Sequence, residues 1–178
     1  MATERPIAVT FQPMAEAKAR AIAAWRYDEP YAFYNAPEGA ADDPGYLHEL
    51  LDPDNPYYAA IDSRGALIGF LAFGWPAQVG TPEERAEAYG GEQALDVGLG
   101  LRPDLTGRGL GLAFVEAGLA FARERFAPAR FRLSVAAFNH RAIRVYERAG
   151  FGRVRAMTLD SSGGPYEFVI MARDAWAG

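Results

Sequence analysis

The spacing of apolar residues changes several times along the chain, and each change marks a boundary between predicted elements. Strand-like runs or alternations cover residues 7–11, 57–61, 66–73, 95–101, 131–135, 151–159 and 166–172. Helical spacing covers residues 14–27, 46–51 and 139–149, and also the segment after a glycine turn at 107–111. Residues 75–91 are polar and are predicted to form a loop with one helical turn at 82–89.

The order of these elements predicts the fold. One hairpin precedes and another follows a central strand–helix–strand–helix unit, which is typical of an α/β fold with about six or seven strands and a parallel middle. Apolar residues of the long helix recur at spacings of three and four and predict one buried stripe, made of Leu112, Val115, Leu119, Ala122 and Phe126. A right-handed crossover places the glycine turn at the carboxyl end of its strand, where ligands of open α/β sheets bind.

Composition narrows the class of protein. With 178 residues and 50% apolar content, we expect residues 1–178 to form a single domain with a sizeable core. A net charge of -5 without a basic run argues against a nucleic-acid partner. The chain has no cysteine, so disulfides, thiolate metal sites and cysteine nucleophiles are excluded. No apolar segment resembles a signal peptide or is long enough to span a bilayer, so we expect a soluble cytoplasmic protein with no membrane partner.

The most unusual segment of the chain has three glycines in five residues. Gly107, Gly109 and Gly111 alternate with Arg108 and Leu110, so the main chain can adopt positive φ and approach a ligand without interference from Cβ atoms. The turn leads into the long helix, whose first amides have no intrahelical acceptor and whose dipole favours an anion. We therefore predict a pyrophosphate site, against the alternative of an ordinary strand-to-helix turn that tolerates glycine.

Two common phosphate-binding motifs do not fit this turn. A P-loop needs lysine and then serine or threonine after its last glycine, but Leu112 and Ala113 follow Gly111. A dinucleotide-binding turn needs a glycine three residues after Gly109, where Leu112 stands. ATP-type and dinucleotide ligands are therefore not expected.

A second candidate motif lies on the helix predicted at 139–149. Asn139 is a favourable N-cap residue, and Tyr146 follows it by about 700° of helical rotation, so both residues share one face. On that face they can point into one cleft. The alternative is that Asn139 is only a cap and that Tyr146 is only a core aromatic with a satisfied hydroxyl.

Together, the two motifs resemble the GNAT superfamily of acyl-CoA-dependent N-acyltransferases. The first motif reads Leu99-x-Leu101-x-Pro103 and then Thr106-Gly107-Arg108-Gly109-Leu110-Gly111. The second reads Asn139-x-x-Ala142-x-x-x-Tyr146-Glu147-x-x-Gly150-Phe151. The resemblance covers about residues 66–172 and is specific, because both motifs occur in the family's order and spacing. It implies a mixed, mostly antiparallel sheet with a central parallel pair and helices on both faces.

The resemblance also implies roles for these residues, with acetyl-CoA as the cofactor. The turn from Arg108 to Gly111 binds the coenzyme A pyrophosphate, Asn139 contacts the pantetheine arm, and Tyr146 protonates the departing thiolate. The full implied coenzyme-binding set is Leu99, Gly100, Leu101, Thr106, Gly107, Arg108, Gly109, Leu110, Gly111, Leu112 and Asn139. Thr106 departs from the family, which usually has glutamine or arginine there, so a loop-closing hydrogen bond is either lost or made by the threonine hydroxyl. A homodimer is also expected from the family.

Transfer of an acetyl group to an amine requires the neutral amine. At pH 7, neutralising an amine with a pKa of about 10.4 costs about 4.6 kcal/mol, and an α-amine costs about 1 kcal/mol. If the strand extends back to Glu92, then Glu92 and Asp96 lie on the same face as Gly98 and Gly100. We hypothesise that these carboxylates are candidate bases, with Asp96 accepting the proton directly or through water, and that the glycines leave room for the acceptor. The alternative is a solvated carboxylate beside glycines that are placed for packing.

Amides near Leu101 are assigned to polarise the thioester carbonyl, because splaying of the two central strands would leave them unpaired. By resemblance, the irregular region after the first helix covers the acceptor side, and the predicted substrate-binding residues are Trp25, Tyr31, Phe33, Tyr34 and Gly98. The aromatic side chains can hold a cation or an apolar amine, or they form a small lid core. His48 and His140 have no metal-like partner, so no metal is expected.

On this resemblance we expect an N-acetyltransferase that moves the acetyl group of acetyl-CoA to a primary amine by direct attack in a ternary complex. The acceptor stays open between a small amine, an amino-sugar antibiotic and a protein N-terminus, and the negative charge slightly favours a small cation. The alternative is a domain of the same fold that binds coenzyme A as a ligand or sensor without transferring a group.

Overall fold

Strands and helices follow one another in nearly the predicted order in the computed structural model, which describes residues 7–161 and 164–176. The strands are β1 (Val9–Pro13), β2 (Tyr57–Asp62), β3 (Leu67–Phe73), β4 (Leu95–Leu101), β5 (Arg130–Ala136), β6 (Gly152–Ser161) and β7 (Gly164–Asp174). The α-helices are α1 (Glu16–Ala23), α2 (Pro44–Leu51), α3 (Pro82–Tyr89), α4 (Gly111–Phe126) and α5 (His140–Arg148). The turn expected between the last two strands lies partly outside the described residues.

The strands form a seven-stranded sheet in the order β1-β2-β3-β4-β5-β7-β6. Strands β4 and β5 are parallel, with Leu95 opposite Phe131 and Asp96 opposite Arg132. The pairs β1–β2, β2–β3, β5–β7 and β6–β7 are antiparallel. The predicted fold class, an α/β fold whose mostly antiparallel sheet has a parallel pair in its middle, is therefore confirmed.

Contacts divide the chain into two compact units of two segments each. Unit 1 comprises the described residues up to Ala72 together with Leu99–Phe114. Unit 2 comprises Phe73–Gly98 together with the described residues from Val115 onward. The expectation of one domain over the whole chain stays a prediction.

In unit 1, helices α1 and α2 pack through Ala19, Leu47 and Leu50, which are nearly inaccessible to solvent. Helix α2 begins where Asp43 accepts hydrogen bonds from the amides of Gly45 and Tyr46, as expected for an N-cap residue before proline. Helix α1 ends at Ala23, several residues before the predicted boundary at 27. The segment that follows contains the short 3-10 turns Tyr31–Tyr34 and Ala40–Asp42.

In unit 2, Phe73 is fully buried against Phe121 and Phe126, with ring centroids 6.3 and 5.0 Å away. Helix α3 covers the residues 82–89 at which the sequence predicts helical structure, and it makes about two turns rather than one. Thr81 and Glu84 form a capping box at its start, which satisfies two amides that would otherwise have no acceptor. In the described ranges, no helix has both the length and the apolarity that a membrane crossing requires.

Candidate functional site

The glycine turn of unit 1 connects the end of β4 with the start of α4. Gly107 and Gly109 have φ angles of 73° and 78°, in the left-handed region that glycine adopts most easily. A Cβ atom added to Gly109 would meet no atom within 4 Å. The main chain at Gly109 therefore borders open space, as a backbone site for a ligand requires.

The amides of this turn have no acceptor within the part of the chain that the structure describes. The first hydrogen bond of α4 is donated by the Phe114 amide to the Leu110 carbonyl, at 3.0 Å. Among the described residues, no acceptor is bonded to the amides from Gly107 to Ala113. Arg108 is exposed and forms no ion pair within the described ranges. This arrangement of donors can bind an anion with several oxygens, such as a diphosphate.

Thr106 closes the turn that precedes the glycines. Its hydroxyl donates a hydrogen bond to the Pro103 carbonyl at 2.8 Å, and its amide donates to the same oxygen at 3.2 Å. The threonine hydroxyl therefore makes a loop-closing hydrogen bond itself, which is the second of the two alternatives expected from the sequence. Because the hydroxyl hydrogen is used within the protein, it is not available to a phosphate oxygen.

The peptide group at the end of β4 is held at both of its polar atoms. The Leu101 carbonyl accepts a hydrogen bond from the Tyr27 hydroxyl at 2.7 Å, and the Arg102 amide donates to the Ile68 carbonyl at 2.8 Å. The Arg102 guanidinium also binds Asp104 at 2.6 Å and lowers the pKa of that carboxyl. The strand end that leads into the glycine turn is therefore fixed, whereas the role of the amides near Leu101 stays a prediction.

The aromatic residues predicted to line the acceptor side follow α1 in unit 1. Asn35 accepts from the Tyr27 amide at 2.7 Å and donates to the Tyr27 carbonyl at 3.2 Å, which joins the two ends of the segment. The Trp25 ring lies 6.3 Å from that of Phe70. The remaining predicted members, Tyr31, Phe33 and Tyr34, form a 3-10 turn in which no residue is buried. Tyr34 is exposed, Tyr31 and Phe33 are partly buried, and both their role in binding and the alternative of a small lid core stay predictions.

The same part of unit 1 is strongly acidic. Residues 27–63 include nine carboxylates and neither lysine nor arginine. Since the whole chain has a net charge of -5, negative charge is concentrated in this segment. Such a segment attracts cations and repels anions.

The hypothesis that Gly100 leaves empty space is wrong. A Cβ atom on Gly100 would overlap Cε1 of Phe70 and would lie 2.9 Å from Cζ of the same ring. The Phe70 ring therefore fills the space beside Gly100. The corresponding role of Gly98 stays a prediction.

Asp96 in unit 2 is neither the general base nor the solvated carboxylate that the sequence suggests. It is 3% exposed, and Arg132 donates to its two oxygens at 2.6 and 3.0 Å. Gln78 Nε2 donates a further hydrogen bond to Asp96 Oδ2 at 2.7 Å. These contacts hold the carboxylate inside the protein, where it cannot accept a proton from a substrate, so its assignment as the base is corrected.

Arg132 connects this buried pair to helix α3. Its Nη1 donates to the Tyr89 carbonyl at 3.2 Å, and its guanidinium carbon lies 4.9 Å from the centre of the Tyr89 ring. The Tyr89 hydroxyl lies 2.6 Å from Ser134 Oγ and accepts from the Val79 amide at 3.1 Å. The hydrogen bond to Asp96 raises the pKa of Arg132. The last residue of α3, Tyr89, thus forms hydrogen bonds both with β5 and with the segment that precedes α3.

Glu92 lies outside the strand on which its predicted position depends. Strand β4 begins at Leu95, so the alternation of side chains along the strand does not extend back to Glu92. The Glu92 carboxylate is half exposed and lies 3.3 Å from Arg130. The premise that Glu92 shares a strand face with Gly98 is therefore wrong, whereas its role as a base stays a prediction.

The second motif lies on α5 in unit 2. Asn139 is 8% exposed, and its side chain accepts a hydrogen bond from the Ala142 amide at 3.1 Å, which confirms it as the N-cap. Tyr146 is half-buried, with its ring 6.2 Å from that of Phe151. Gly150 follows the C-cap residue Ala149 and has a φ of 87°, a conformation that is common just after a helix C-terminus. The pantetheine and proton-donor roles of Asn139 and Tyr146 stay predictions.

Two contacts of the candidate site were not predicted. Arg132 could have been found, because one basic and one acidic residue stand inside the neighbouring apolar strands at 131–135 and 95–101. For Phe70 no comparable signal exists, since its position over Gly100 depends on the register between two strands. In the part of the chain that the structure describes, no group of three or more His, Cys, Asp or Glu side chains is placed to hold a metal ion.

Comparison with known sequences identifies related proteins. A model described as the acetyltransferase (GNAT) family matches residues 19–151. A mycothiol acetyltransferase of Acidothermus cellulolyticus is 33% identical over 165 residues, which cover 87% of this chain and 47% of that protein. A mycothiol acetyltransferase of Propionibacterium freudenreichii is 37% identical over 95 residues, or 53% of this chain and 27% of that protein. The chain thus spans about half or less of the length of these relatives.

Solved structures with the same fold are more distant in sequence. An acetyltransferase of the GNAT family from Bacillus anthracis superposes with a TM-score of 0.72 at 13% identity, over 97% of this chain and 98% of that one. A spermidine/spermine N-acetyltransferase from Vibrio cholerae gives a TM-score of 0.67 at 16% identity, over 94% of this chain and 93% of that one. At these identities the similarity shows the fold alone.

Proposed function

The chain belongs to the acetyltransferase (GNAT) family, and we propose that it transfers the acetyl group of acetyl-CoA to a primary amine by direct attack in a ternary complex. The observation that carries this proposal is the series of amides from Gly107 to Ala113, which have no acceptor among the described residues. These donors, placed at the start of a 16-residue helix, match the diphosphate of coenzyme A in charge and hydrogen-bonding capacity.

The donor side of the reaction is assigned residue by residue. The amides of the glycine turn bind the diphosphate, and the exposed Arg108 guanidinium adds a positive charge there. Asn139, by family resemblance, contacts the pantetheine arm while its Oδ1 caps α5. Tyr146 supplies the proton that the leaving thiolate takes up.

The acceptor side is assigned to unit 1, where the predicted aromatic residues Trp25, Tyr31, Phe33 and Tyr34 lie in or beside the acidic segment. Nine carboxylates without a lysine or arginine between residues 27 and 63 favour a positively charged amine over a neutral or anionic acceptor. These rings are at least partly exposed, and accessible aromatic rings bind cationic groups through their π faces. The proposed acceptor is therefore a small cationic amine. The proposed location of the protein, a separate point, is the cytoplasm.

The base that deprotonates this amine is Glu92 or water, because Asp96 is held by Arg132. Deprotonation of an amine with a pKa of about 10.4 costs about 4.6 kcal/mol at pH 7. If Glu92 is the base, Glu92→Gln lowers kcat/KM for the amine at neutral pH. An unchanged kcat/KM in that variant assigns the step to water.

Calorimetric titration combined with an acetylation assay tests the proposal. Acetyl-CoA is titrated into the protein, and release of the free thiol is then followed with a panel of amines that includes diamines, aminoglycosides, N-terminal peptides and the acceptor of a mycothiol acetyltransferase. We expect binding of acetyl-CoA and thiol release that depends on a cationic amine. Binding of coenzyme A without thiol release for any amine would instead identify a sensor domain.

Replacement of Tyr146 by phenylalanine tests the proton donor. Loss of a general acid lowers the rate by about 100- to 10,000-fold, so we expect kcat to fall in that range while the dissociation constant of acetyl-CoA stays nearly unchanged. Tyr46→Phe is the matched control, because the Tyr46 hydroxyl has no hydrogen bond among the described residues. Full activity in Tyr146→Phe would remove Tyr146 from the mechanism.

A further inference from the structure

Phe70 on β3 takes the space that a side chain at position 100 would need. Successive residues of a strand point to opposite faces, and a Cβ on the preceding Gly69 would lie 2.6 Å from Cζ of Phe114 on α4. Phe70 therefore points to the face away from Phe114. On that face its ring covers Gly100, so closely that a Cβ there would overlap Cε1.

Neighbouring groups hold the Phe70 ring in this place. The Trp25 ring packs beside it at a centroid distance of 6.3 Å and an angle of 38°. Tyr27 follows Trp25 by two residues, and its hydroxyl donates a hydrogen bond at 2.7 Å to the carbonyl of Leu101, the residue after Gly100. Phe70 and Trp25 remain partly exposed. Together they form an aromatic wall beside the main chain at Gly100, and this wall is partly accessible to solvent.

The position of this wall matters for the acyl group. The inference rests on the proposed function and on two expectations from the sequence, namely that Leu99, Gly100 and Leu101 contact the coenzyme and that the amides near Leu101 polarise the thioester carbonyl. An acetyl group ends one carbon beyond that carbonyl, whereas propionyl and butyryl groups continue by one and two methylenes. A longer chain needs apolar room beside the same main chain, where the Phe70 ring lies.

We propose that Phe70, seated on Gly100 and backed by Trp25, is a specificity-determining residue that restricts the acyl group to acetyl. A rigid apolar wall discriminates between ligands that differ by one methylene by about 10- to 200-fold. The restriction depends on glycine at position 100, because any larger residue there would displace the ring. Gly100 thus allows Phe70 to approach the main chain, and it does not provide space for the acceptor.

The test compares acetyl-CoA, propionyl-CoA and butyryl-CoA on the wild type, Phe70→Leu and Phe70→Ala. For each combination of protein and acyl-CoA, kcat/KM is measured with the same amine, and the dissociation constant of the acyl-CoA is measured by calorimetry without an amine. We expect the wild type to prefer acetyl-CoA to butyryl-CoA by about 10- to 100-fold, and Phe70→Ala to reduce this preference by about tenfold. Phe70→Leu keeps an apolar side chain in the core, so it gives a folded variant with an intermediate preference.

Phe11→Ala is the matched control, because Phe11 is another aromatic residue of unit 1 and packs on Phe114 rather than on Gly100. It is expected to lower stability and to leave the acyl preference unchanged. A wild type without acyl preference, or a preference that is equal in wild type, Phe70→Leu and Phe70→Ala, would overturn the inference. If binding shows the expected preferences but no thiol is released, the inference holds and the proposed transfer is wrong. If no acyl-CoA binds, both fail.

Discussion

The glycine turn of unit 1 and the Asp96–Arg132 pair of unit 2 contain strong polar groups in opposite situations. In the turn, amides from Gly107 to Ala113 have no acceptor among the described residues, and the main chain at Gly109 borders open space. In the pair, both oxygens of a carboxylate that is 3% exposed accept hydrogen bonds from side chains.

This difference separates groups that bind a ligand from groups that hold the fold. Burial of a charged group is tolerated only when the group is paired, so Asp96 and Arg132 each compensate the buried charge of the other. Amides at a helix start are satisfied by water until an anion replaces it, so they remain available. From sequence, both Asp96 and the glycine turn are candidates for chemistry, and only their partners distinguish them.

Removal of Arg132 should have the largest effect on stability. In Arg132→Met, the Asp96 carboxylate stays buried without its charged partner, which typically costs about 3–5 kcal/mol. We therefore expect the free energy of unfolding to fall by about that amount in urea denaturation. Arg153→Met is the control, since its pair with Glu147 is exposed and is worth at most about 1 kcal/mol.

The double variant Asp96→Leu, Arg132→Met sharpens this prediction. It removes both charges, so most of the stability lost in Arg132→Met should return. A single variant Arg132→Met that loses no more stability than Arg153→Met would mean that the buried pair does not hold unit 2 together, and the contrast with the glycine turn would fail.

Gly109→Ala should weaken both the fold and the binding of coenzyme A. A Cβ in the left-handed region costs about 1–2 kcal/mol of stability, and the new methyl group projects into the open space where the diphosphate is proposed to bind. We expect the dissociation constant of coenzyme A to rise by about tenfold or more in calorimetry.

Gly65→Ala is a close control for this effect. Gly65 also has a positive φ, 81°, and also has open space around its missing Cβ, but it lies in the hairpin turn between β2 and β3. The two variants should lose similar stability, and only Gly109→Ala should lose affinity. Equal affinities for coenzyme A would remove the glycine turn from the proposed site.

Much of the fold could be predicted because it depends on local spacing. Leu112, Val115 and Leu119, three residues of the predicted stripe on α4, are all at most 7% exposed. Helix α3 was predicted within its observed bounds, although as a single turn, and Thr81 and Glu84 have the spacing of a capping box that marks its start. Patterns of one element are readable from sequence, provided that its capping residues are read as well as its apolar residues.

The candidate site could be predicted only in part, because several of its contacts depend on strand register. The glycine turn was found since its conformation follows from its own residues. The roles of Asp96 and Gly100 were misassigned since Asp96 meets Arg132, and Gly100 meets Phe70, only after strands pair. Charged residues inside apolar strands are therefore better read first as one half of a buried pair.

Thr106→Val tests a smaller difference within the turn itself. The variant loses the hydroxyl hydrogen bond to the Pro103 carbonyl, which is 2.8 Å long, so the free energy of unfolding should fall by about 1 kcal/mol. Thr106→Ser keeps the hydroxyl and should retain most of that stability. Because the hydroxyl serves the protein, coenzyme A affinity should be nearly the same in both. A marked loss of affinity in Thr106→Val alone would give the hydroxyl a direct role at the phosphate.

The smallest expected effect concerns Asp62. Here a carboxylate of the protein itself accepts hydrogen bonds from the amides of a turn. Its oxygen binds the amides of Ala66 at 2.8 Å and Arg64 at 2.9 Å, and these hydrogen bonds lower the pKa of the carboxyl. The stabilisation is therefore present above the unfolded pKa of about 3.9 and is lost as the pH falls through the lower folded pKa. Asp62→Asn should be slightly less stable than wild type at pH 7, and the difference in urea midpoint should shrink as the pH falls below the unfolded pKa of about 3.9. A difference that stays constant from pH 7 to pH 3 would show that charge adds nothing to an anion on turn amides, and the same reasoning applied to the glycine turn would lose its support.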